Sequence, residues 1–297
     1  MLTNFASPLC YTGNKTRILP LIHQYLPEKY NCFIDVFGGS GVCSFSQDCD
    51  IIYNEKDIHV YNLIRTLKEC DSEFILESIQ SFINRFDLSK NNKNEYIKFR
   101  SYFNNGCNLF LNDENDKIRH VSNLALLVLV FFSYNHYITF NKCDKFTTPS
   151  GYKRSSYNKS IRSNLIKFKE RLDTTNNILL NLDFRDLFNV YKQKNLTNCL
   201  FFMDPVYYIS DDNYRRNYGI TWVEKDEQAL YDMCDEINSL GGKFMVTNQL
   251  QKGDKINEFL LKFSKKYKAI DTNIDFGNCS YQRKNKGNDK EILVINY

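Results

Sequence analysis

Short apolar runs that end in polar or glycine-rich turns recur along this chain and form its most restrictive pattern. Such runs predict buried strands, and helical patterns lie between several of them. Alternation of this kind is typical of a parallel sheet covered by helices, so the sequence predicts an α/β fold. The predicted strands fall at residues 32–37, 51–54, 178–181, 199–204, 243–247 and 291–297.

The middle of the chain has a different pattern, with no strand signal before residue 138. From there to residue 157 the sequence alternates and contains Pro149 and Gly151, which favours a β-hairpin or an ordered loop. The preceding part is helical in periodicity. The predicted helices fall at residues 57–70, 72–86, 95–104 and 121–134.

Two interleaved units account for these patterns, because 297 residues suffice for one α/β domain and a smaller insert. We expect the α/β domain to comprise residues 1–60 and 173–297, and the mainly helical insert to comprise residues 61–172. Within the α/β domain, Thr221 and Glu224 form a capping-box pattern. This pattern predicts a helix that opens there and ends before the next predicted strand.

The composition argues against several kinds of protein. The ten cysteines include no Cys-x-x-Cys pair, so we expect no metal site and reduced thiols in a cytoplasmic protein. The first residues lack the basic, apolar and small-residue order of a secretory signal. The longest apolar run, residues 124–132, is far shorter than the ~20 residues that span a bilayer. The net charge of +4 argues only weakly for an anionic partner.

A glycine-rich turn follows the first predicted strand, in the segment FIDVFGGSG at residues 33–41. Its glycines can bring backbone amides close to a ligand and accept positive φ, although a plain tight turn explains the segment if it is taken alone. The second predicted strand ends in Glu55, where a carboxylate can accept hydrogen bonds from two ribose hydroxyls. Because no phosphate-binding glycine motif is present, a nucleoside such as S-adenosylmethionine fits better than a dinucleotide. Its sulfonium benefits from nearby acids and aromatic faces.

The fourth predicted strand ends in a second motif, LFFMDPVYY at residues 200–208. The amine of adenine is a poor nucleophile because its lone pair is conjugated into the ring. The Asp204 carboxylate and the Pro205 carbonyl can hold its two hydrogens while Tyr207 stacks on an extruded base. An ordinary turn explains this motif if it stands alone; beside the glycine-rich loop, a site for an adenine amine is the favoured interpretation.

Basic and aromatic residues alternate between residues 140 and 171, with few acids among them. Such a cluster can neutralise phosphates and bring side chains to bases, and a solvated charged face is the alternative. Its members are Lys142, Lys145, Lys153, Arg154, Lys159, Arg162, Lys167, Lys169 and Arg171, with Phe140, Phe146, Tyr152 and Tyr157.

These motifs, in this order, resemble those of the Dam-type DNA adenine methyltransferases, including the enzymes of T-even phages. The similar segments are YTGNK at residues 11–15, DVFGGSG at 35–41, DPVY at 204–207 and KFMVTNQ at 243–249. The resemblance covers nearly the whole chain. It implies a Rossmann-like S-adenosylmethionine-dependent methyltransferase sheet with an inserted, mainly helical target-recognition domain whose β-hairpin corresponds to residues 137–154.

The resemblance also implies roles for individual residues. The catalytic residues would be Asp204, Pro205 and Tyr207. The methyl-donor pocket would be formed by Tyr11, Lys15, Asp35, Phe37, Gly38, Gly39, Ser40, Gly41, Glu55, Phe184 and Asp204. The DNA-binding residues would be Asn141, Lys142, Tyr152, Lys153, Arg154, Lys159 and Arg162.

The partners implied are double-stranded DNA and a cognate restriction endonuclease, for a cytoplasmic enzyme of a bacterial or phage-infected cell that acts as a monomer or weak dimer on DNA. The recognition site GATC is the leading candidate, although Tyr152 stands where family members that read GATC often have arginine.

One departure from the family leaves a rival hypothesis open. Val206 occupies the third position of the tetrapeptide, where the family has proline, so the turn loses a fixed φ. An active enzyme is the favoured hypothesis, and a non-catalytic DNA-binding relative is the alternative. A methyltransferase acting on RNA or on protein glutamine is a weaker alternative, because an aspartate at the first position of the tetrapeptide, Asp204, suits adenine as the substrate. Ring-carbon methylation of cytosine is disfavoured because the chain has no Pro-Cys dipeptide.

Overall fold

A mixed, mostly parallel sheet organises the part of the chain that the structure, a computed structural model, describes: residues 5–9, 15–209, 222–272 and 289–297. Its strands are β1 (Cys32–Asp35), β2 (Asp50–Asn54), β3 (Asn177–Leu180), β4 (Cys199–Met203), β5 (Lys243–Lys252), β6 (Lys255–Ile256), β7 (Lys268–Asp271) and β8 (Lys290–Ile295). They lie in the order β3-β2-β1-β4-β5-β8-β7, with β6 paired to β5. The first five in this order are parallel, β8 runs antiparallel to β5, and β7 runs antiparallel to β8. The sheet confirms the predicted α/β, Rossmann-like fold.

The six predicted strands are all present, with ends that differ by a few residues. β1 ends at Asp35, before the predicted residue 37, because the chain turns there into the glycine-rich loop. β5 continues to Lys252, beyond the predicted residue 247, because its outer half pairs with β6 and β8. The apolar pattern did not predict β6 or β7, whose residues are largely exposed.

Helices connect these strands, and polar side chains fix where several of them begin. The helices are α1 (Leu19–Gln24), α2 (Ile58–Glu69), α3 (Ser72–Arg85), α4 (Lys93–Asn104), α5 (Asp116–Phe132), α6 (Lys159–Thr174), α7 (Phe184–Tyr191), α8 (Glu224–Ser239) and α9 (Glu258–Ser264). The predicted helices in the middle of the chain are confirmed as α2 to α5. α5 begins before the predicted residue 121 because Asn115 caps it. In the described ranges no helix is long and apolar enough to cross a bilayer.

The helix predicted from a Thr221 capping box begins later than expected, at Glu224. Its N-cap residue is Val223, whose backbone N–H donates a hydrogen bond of 3.0 Å to Oδ2 of Asp226. This bond sets the first turn, so the assignment of Glu224 to the third helical position was wrong. Thr221 lies outside the described residues.

Successive residues of the central strands contribute to two separate hydrophobic clusters, as the two-residue period of a strand requires. On β4, Leu200 and Phe202 belong to a cluster with α2 to α6, whereas Phe201 and Met203 belong to a cluster with α7 to α9. Residues 124–132 of α5 are buried and lie in the first cluster. Because helices cover both faces of these strands, the polar side chains that follow the strands lie along the edge of the sheet that the strand ends form.

The stretch expected to be a β-hairpin or an ordered loop is an ordered loop with isolated bridges. Phe140 pairs with Phe146, and the backbone N–H of Thr147 donates to the carbonyl of Thr139 at 2.8 Å. Asn104 of α4 holds both backbone groups of Phe146, at 2.8 and 3.0 Å. The loop is therefore fixed to the helices of the predicted insert. The domain boundaries at residues 60 and 172 stay a prediction.

Candidate active site

The carboxyl ends of four neighbouring parallel strands meet at one edge of the sheet and bring most of the predicted site residues together. The glycine-rich loop follows β1, Glu55 follows β2, Phe184 follows β3 and Asp204 follows β4. Crevices at such carboxyl edges are where open α/β sheets bind ligands. Tyr11, the remaining predicted donor-pocket residue at the start of the chain, lies outside the described residues.

The glycine-rich loop is fastened to β2. The N–H of Gly38 donates to the carbonyl of Asn54 at 2.7 Å, and the Tyr53 hydroxyl donates to the carbonyl of Gly39 at 2.7 Å. A Cβ atom on Gly38 would lie 2.2 Å from the Tyr53 ring, so a larger residue does not fit there. Gly39 has a φ of 49°, in the left-handed region that favours glycine. The loop conformation therefore requires the glycines that the sequence analysis selected.

Glu55 accepts two backbone hydrogen bonds at the end of β2. Its Oε2 accepts from the N–H of Gly39 at 2.8 Å, and its Oε1 accepts from the N–H of Asp57 at 2.7 Å. Burial raises the pKa of Glu55 to about 7, and these two hydrogen bonds oppose that rise. Each carboxylate oxygen has a second lone pair, so Glu55 can accept further hydrogen bonds from a ligand hydroxyl.

Asp35 lies beneath the loop and is 1% exposed. The Ser44 hydroxyl donates to its Oδ2 at 2.5 Å. Burial raises the pKa of Asp35 to about 7, and the nearby charge of Asp204 adds to the rise. Ser40, also predicted in the donor pocket, is buried as well. Asp35 therefore supports the base of the loop through Ser44.

Asp204 is engaged through both carboxylate oxygens. Its Oδ2 lies 2.7 Å from Nζ of Lys15, and its Oδ1 accepts a hydrogen bond from the Thr247 hydroxyl at 2.8 Å. Burial raises the pKa of Asp204, and Lys15 and Thr247 oppose this rise. Burial alone would lower the pKa of Lys15, but the charges of Asp204 and Glu291 raise it above its usual value. The structure therefore joins the predicted Lys15 and Asp204 in one ion pair, in which Lys15 is buried and the Asp204 side chain is 17% exposed.

Tyr207 is anchored at its hydroxyl by an acid that the sequence analysis missed. The hydroxyl donates to Oε1 of Glu291, on β8, at 2.8 Å. Nζ of Lys15 lies 5.3 Å from the centroid of the Tyr207 ring. Burial raises the pKa of Glu291, and Lys15 opposes that rise. The available signal was an acid next to an apolar strand sequence, since acids are rarely fully buried without partners.

Three aromatic rings meet at the same edge. The ring centroids of Phe37 and Phe184 are 5.6 Å apart, and Trp222 lies 5.7 Å from Phe37 and 5.6 Å from Phe184. The indole N–H of Trp222 donates to Oε2 of the fully buried Glu227 at 2.6 Å. Phe37 and Phe184 were predicted from the sequence, whereas Trp222, the only tryptophan of the chain, was not. The cluster provides an apolar wall for a planar ring.

The predicted DNA-binding residues lie on the loop at residues 138–157 and on the first turn of α6. All seven are exposed: Asn141, Lys142, Tyr152, Lys153, Arg154, Lys159 and Arg162. The Asn141 side chain also stabilises the loop turn, because its Oδ1 accepts from the N–H groups of Cys143 and Lys145 at 2.9 and 3.1 Å.

Two members of the wider basic cluster have structural roles instead. Lys169 is buried and pairs with Asp173. The guanidinium of Arg171 donates to the carbonyls of Phe45 and Gln47 and forms an ion pair with Asp48 at 2.9 Å. Both were therefore wrongly grouped with the residues that could contact phosphate, because their side chains are used within the fold.

Comparison with known proteins finds relatives over almost the whole chain. The type II methyltransferase M.FokI of Planomicrobium okeanokoites is 28% identical over 98% of this chain, and the modification methylase StsI of Streptococcus sanguinis is 29% identical over 98%. The chain spans 43% of the length of each of these two proteins. The type II methyltransferase M1.LlaDCHI of Lactococcus lactis subsp. cremoris is 24% identical over 97% of this chain and 94% of its own length.

The family comparison covers the same elements as the site. Residues 11–274 match the sequence model of the D12 class N6 adenine-specific DNA methyltransferases, which is the Dam-type family. The matched range contains the glycine-rich loop, Glu55 and the Asp204 turn, which the parallel sheet brings to one edge. The predicted resemblance is thus confirmed, and this chain belongs to the D12 class N6 adenine-specific DNA methyltransferase family.

Proposed function

We propose that this chain transfers a methyl group from S-adenosylmethionine to the exocyclic amine of an adenine in a short site of duplex DNA. The observation that carries the proposal is the position of Asp204. Its largely buried carboxylate lies at the same sheet edge as the glycine-rich loop and Glu55. A nucleoside held by Glu55 and an amine held by Asp204 would therefore be neighbours.

The residues present at the edge fit this methyl donor. Glu55 can accept from the ribose hydroxyls, and the cluster of Phe37, Phe184 and Trp222 offers apolar faces to an adenine ring. The buried Asp35 and the partly buried Asp204 make the surroundings favourable to a cation. When bound, the donor supplies an electrophilic methyl group on its sulfonium.

The chain's own residues would orient the target amine. The Asp204 carboxylate would accept one amine hydrogen and the Pro205 carbonyl the other, which keeps the nitrogen lone pair directed towards the methyl group. Tyr207 would stack on the adenine after it leaves the duplex, because an amine inside the stack cannot reach the donor. Lys15 and Thr247 hold Asp204 in place, and its oxygens keep lone pairs for the substrate.

The exposed basic residues would bind the duplex. Lys153, Arg154, Lys159 and Arg162 would contact phosphates, with Tyr152 and neighbouring loop residues at the bases, so that residues 61–172 act as the target-recognition domain. GATC is the leading candidate for the recognition site. The names of the type II and modification methylase relatives support a cognate restriction endonuclease as partner. We further propose a cytoplasmic enzyme that acts as a monomer or weak dimer on DNA.

The test is to incubate the purified chain with S-adenosylmethionine and unmethylated genomic DNA, and to map the modified adenines. We expect N6-methyladenine at one short sequence and none in a reaction without donor. Binding of donor and DNA without any modified adenine would contradict the proposal and favour the non-catalytic alternative. Modification of RNA but not of duplex DNA would contradict the proposed substrate.

A further inference from the structure

Glu291 is a buried acid at the edge of the sheet where the candidate active site lies. The proposed mechanism does not use it. It is 2% exposed and lies on β8 opposite Gln249 of β5. Its carbonyl accepts hydrogen bonds from the N–H and the hydroxyl of Thr272, at 3.2 and 3.1 Å. The backbone of Glu291 is thus held from both neighbouring strands, so its carboxylate extends into the site from a rigid element.

This carboxylate meets two groups of the site. Its Oε1 accepts the hydroxyl hydrogen of Tyr207 at 2.8 Å and lies 3.9 Å from Nζ of Lys15. Its Oε2 has no hydrogen-bond partner among the described residues. Burying a charge is costly, and well-packed apolar side chains often stabilise a fold as well or better. A role in folding alone therefore does not explain an acid at this position, whereas a role in orienting Tyr207 does.

Rotation about the Cα–Cβ bond decides where the Tyr207 ring lies, and a hydrogen bond at the hydroxyl end of the ring restrains this rotation. This restraint matters because Val206, unlike proline, leaves one backbone angle of the tetrapeptide unfixed. The side chain of Val206 packs against the cluster around α7 to α9, which holds the turn from one side. Glu291 holds Tyr207 at the hydroxyl end of its ring.

We propose that Glu291 is a positioning residue for methyl transfer: by binding the Tyr207 hydroxyl, it keeps the ring at the place where it can stack on the extruded adenine. This proposal rests on the function proposed above. Glu291 acts through Tyr207 and does not touch the reacting atoms. It replaces part of the rigidity that a proline at position 206 would give to the turn.

The test compares single-turnover methylation rates, with saturating donor and DNA, for Tyr207→Phe, Glu291→Ala and the double variant. Since a misplacement of about 1 Å can cost ~100-fold in rate, we expect each single change to lower the rate about tenfold. The double variant should be no slower than the slower single variant, because both changes remove the same bond. Glu291→Gln, whose amide oxygen can still accept the hydroxyl, should keep most of the rate.

Tyr208→Phe is the matched control, because Tyr208 is the adjacent tyrosine and its hydroxyl donates to Glu224 at 3.2 Å instead. It should leave the rate unchanged. Calorimetry with S-adenosylhomocysteine should show the same donor-site affinity in every variant. A wild-type rate in Tyr207→Phe, or losses that multiply in the double variant, would overturn the proposal.

Amide hydrogen exchange of residues 204–209 provides a readout that does not depend on activity. Exchange in this segment should be faster in both Tyr207→Phe and Glu291→Ala than in wild type and Tyr208→Phe. If wild type does not methylate DNA, the proposed function fails, and unchanged exchange in Tyr207→Phe would separately refute the restraint by Glu291. If Glu291→Ala does not fold, the results for Tyr207→Phe alone test the proposal. This variant keeps the aromatic ring and the contact between Lys15 and Glu291.

Discussion

Asp204 is held by two side chains from distant parts of the chain, Lys15 and Thr247. An acceptor that must take one amine hydrogen works only in a fixed orientation, and these two partners fix it without using all of its lone pairs. In the proposed function the arrangement separates two tasks: Lys15 and Thr247 position the carboxylate, and the carboxylate would meet the substrate. Loss of the carboxylate should therefore affect chemistry far more than DNA binding.

We expect Asp204→Ala to abolish methyl transfer while DNA affinity changes little, because the proposed phosphate contacts would be made by other residues. Single-turnover methylation and gel-shift titration measure the two effects. Asp186→Ala, at an exposed acid of α7, is the control and should keep wild-type activity. Retention of more than about a tenth of wild-type turnover in Asp204→Ala would remove this residue from the catalytic role.

At the scale of elements, the turn after β4 contains Val206 where the family has proline. This departure separates the two hypotheses, an active enzyme and a non-catalytic relative. Val206 packs against the cluster of α7 to α9, and Tyr207 is bound at its hydroxyl by Glu291 of β8. Two contacts from separate elements thus restrain a turn that lacks the proline ring. These two contacts favour a turn that keeps its geometry although it has valine instead of proline.

Val206→Pro should therefore change the single-turnover methylation rate by less than about tenfold, since proline at a compatible site contributes under ~1 kcal/mol. The measurement uses saturating donor and unmethylated DNA on both proteins. An inactive wild type whose activity is restored by Val206→Pro would refute the proposed activity of the native chain. Inactivity of both proteins would favour the non-catalytic DNA-binding relative.

The first turn of α6 presents Lys159 and Arg162 to solvent. If they contact phosphates, Lys159→Ala and Arg162→Ala should weaken binding to all duplexes alike and reduce the slope of log affinity against log salt by about 1 each. Fluorescence anisotropy with two unrelated duplexes over a salt series measures this. Lys262→Ala, an exposed lysine of α9 on the other face of the sheet, should change neither quantity. Loss confined to one sequence would identify a base contact instead.

The sequence predicted the elements whose residues are apolar and missed those defined by their neighbours. β1, β2 and β4 have continuous buried runs, so their carboxyl ends and the residues that follow could be located. β7 is mostly exposed at a sheet edge and has no apolar run, so its pairing with β8 determines it and local pattern does not. α6 was overlooked although it has an Asn158 N-cap and buried apolar residues at helical spacing, Leu165, Phe168 and Leu172.

The residues of the candidate site could be predicted from the sequence only in part. Glu55 and Asp204 could be predicted because each directly follows a buried strand, and parallel neighbours end at the same edge. Trp222, Thr247 and Glu291 contact the site from elements far away in the sequence. Their roles depend on the sheet order, which places β5 beside β4 and β8 beside β5. No spacing in the sequence reports that order.

At the scale of the whole molecule, two buried acids of the candidate active site reduce the folding stability at neutral pH. Burial raises the pKa values of Asp35 and Glu55 to about 7 from 3.8 and 4.5. Between these unfolded-state and folded-state values the native state binds more protons than the unfolded chain, so its stability falls as pH rises through this window. At neutral pH both acids therefore favour the protonated form more than they do in the unfolded chain.

Glu55→Gln should consequently be more stable relative to wild type at pH 8 than at pH 5, by about 1–3 kcal/mol in the free energy of unfolding. At pH 5 both side chains are neutral, whereas at pH 8 only wild type buries a charge at this position. Urea unfolding of both proteins at the two pH values measures the difference. Equal pH dependence in the two proteins would show that Glu55 does not titrate in this range.

The place of β8 in the sheet has a consequence for synthesis. β8 follows β7 in the chain yet lies between β5 and β7, and among the described strands it is the one that pairs with β7. The same strand carries the carboxylate that accepts the hydroxyl hydrogen of Tyr207. During synthesis the glycine-rich loop and the β4 turn are therefore made before the strand that carries Glu291. If Tyr207 stacks on the target base as proposed, its hydrogen bond to Glu291 can form only after β8 has been made and inserted beside β5.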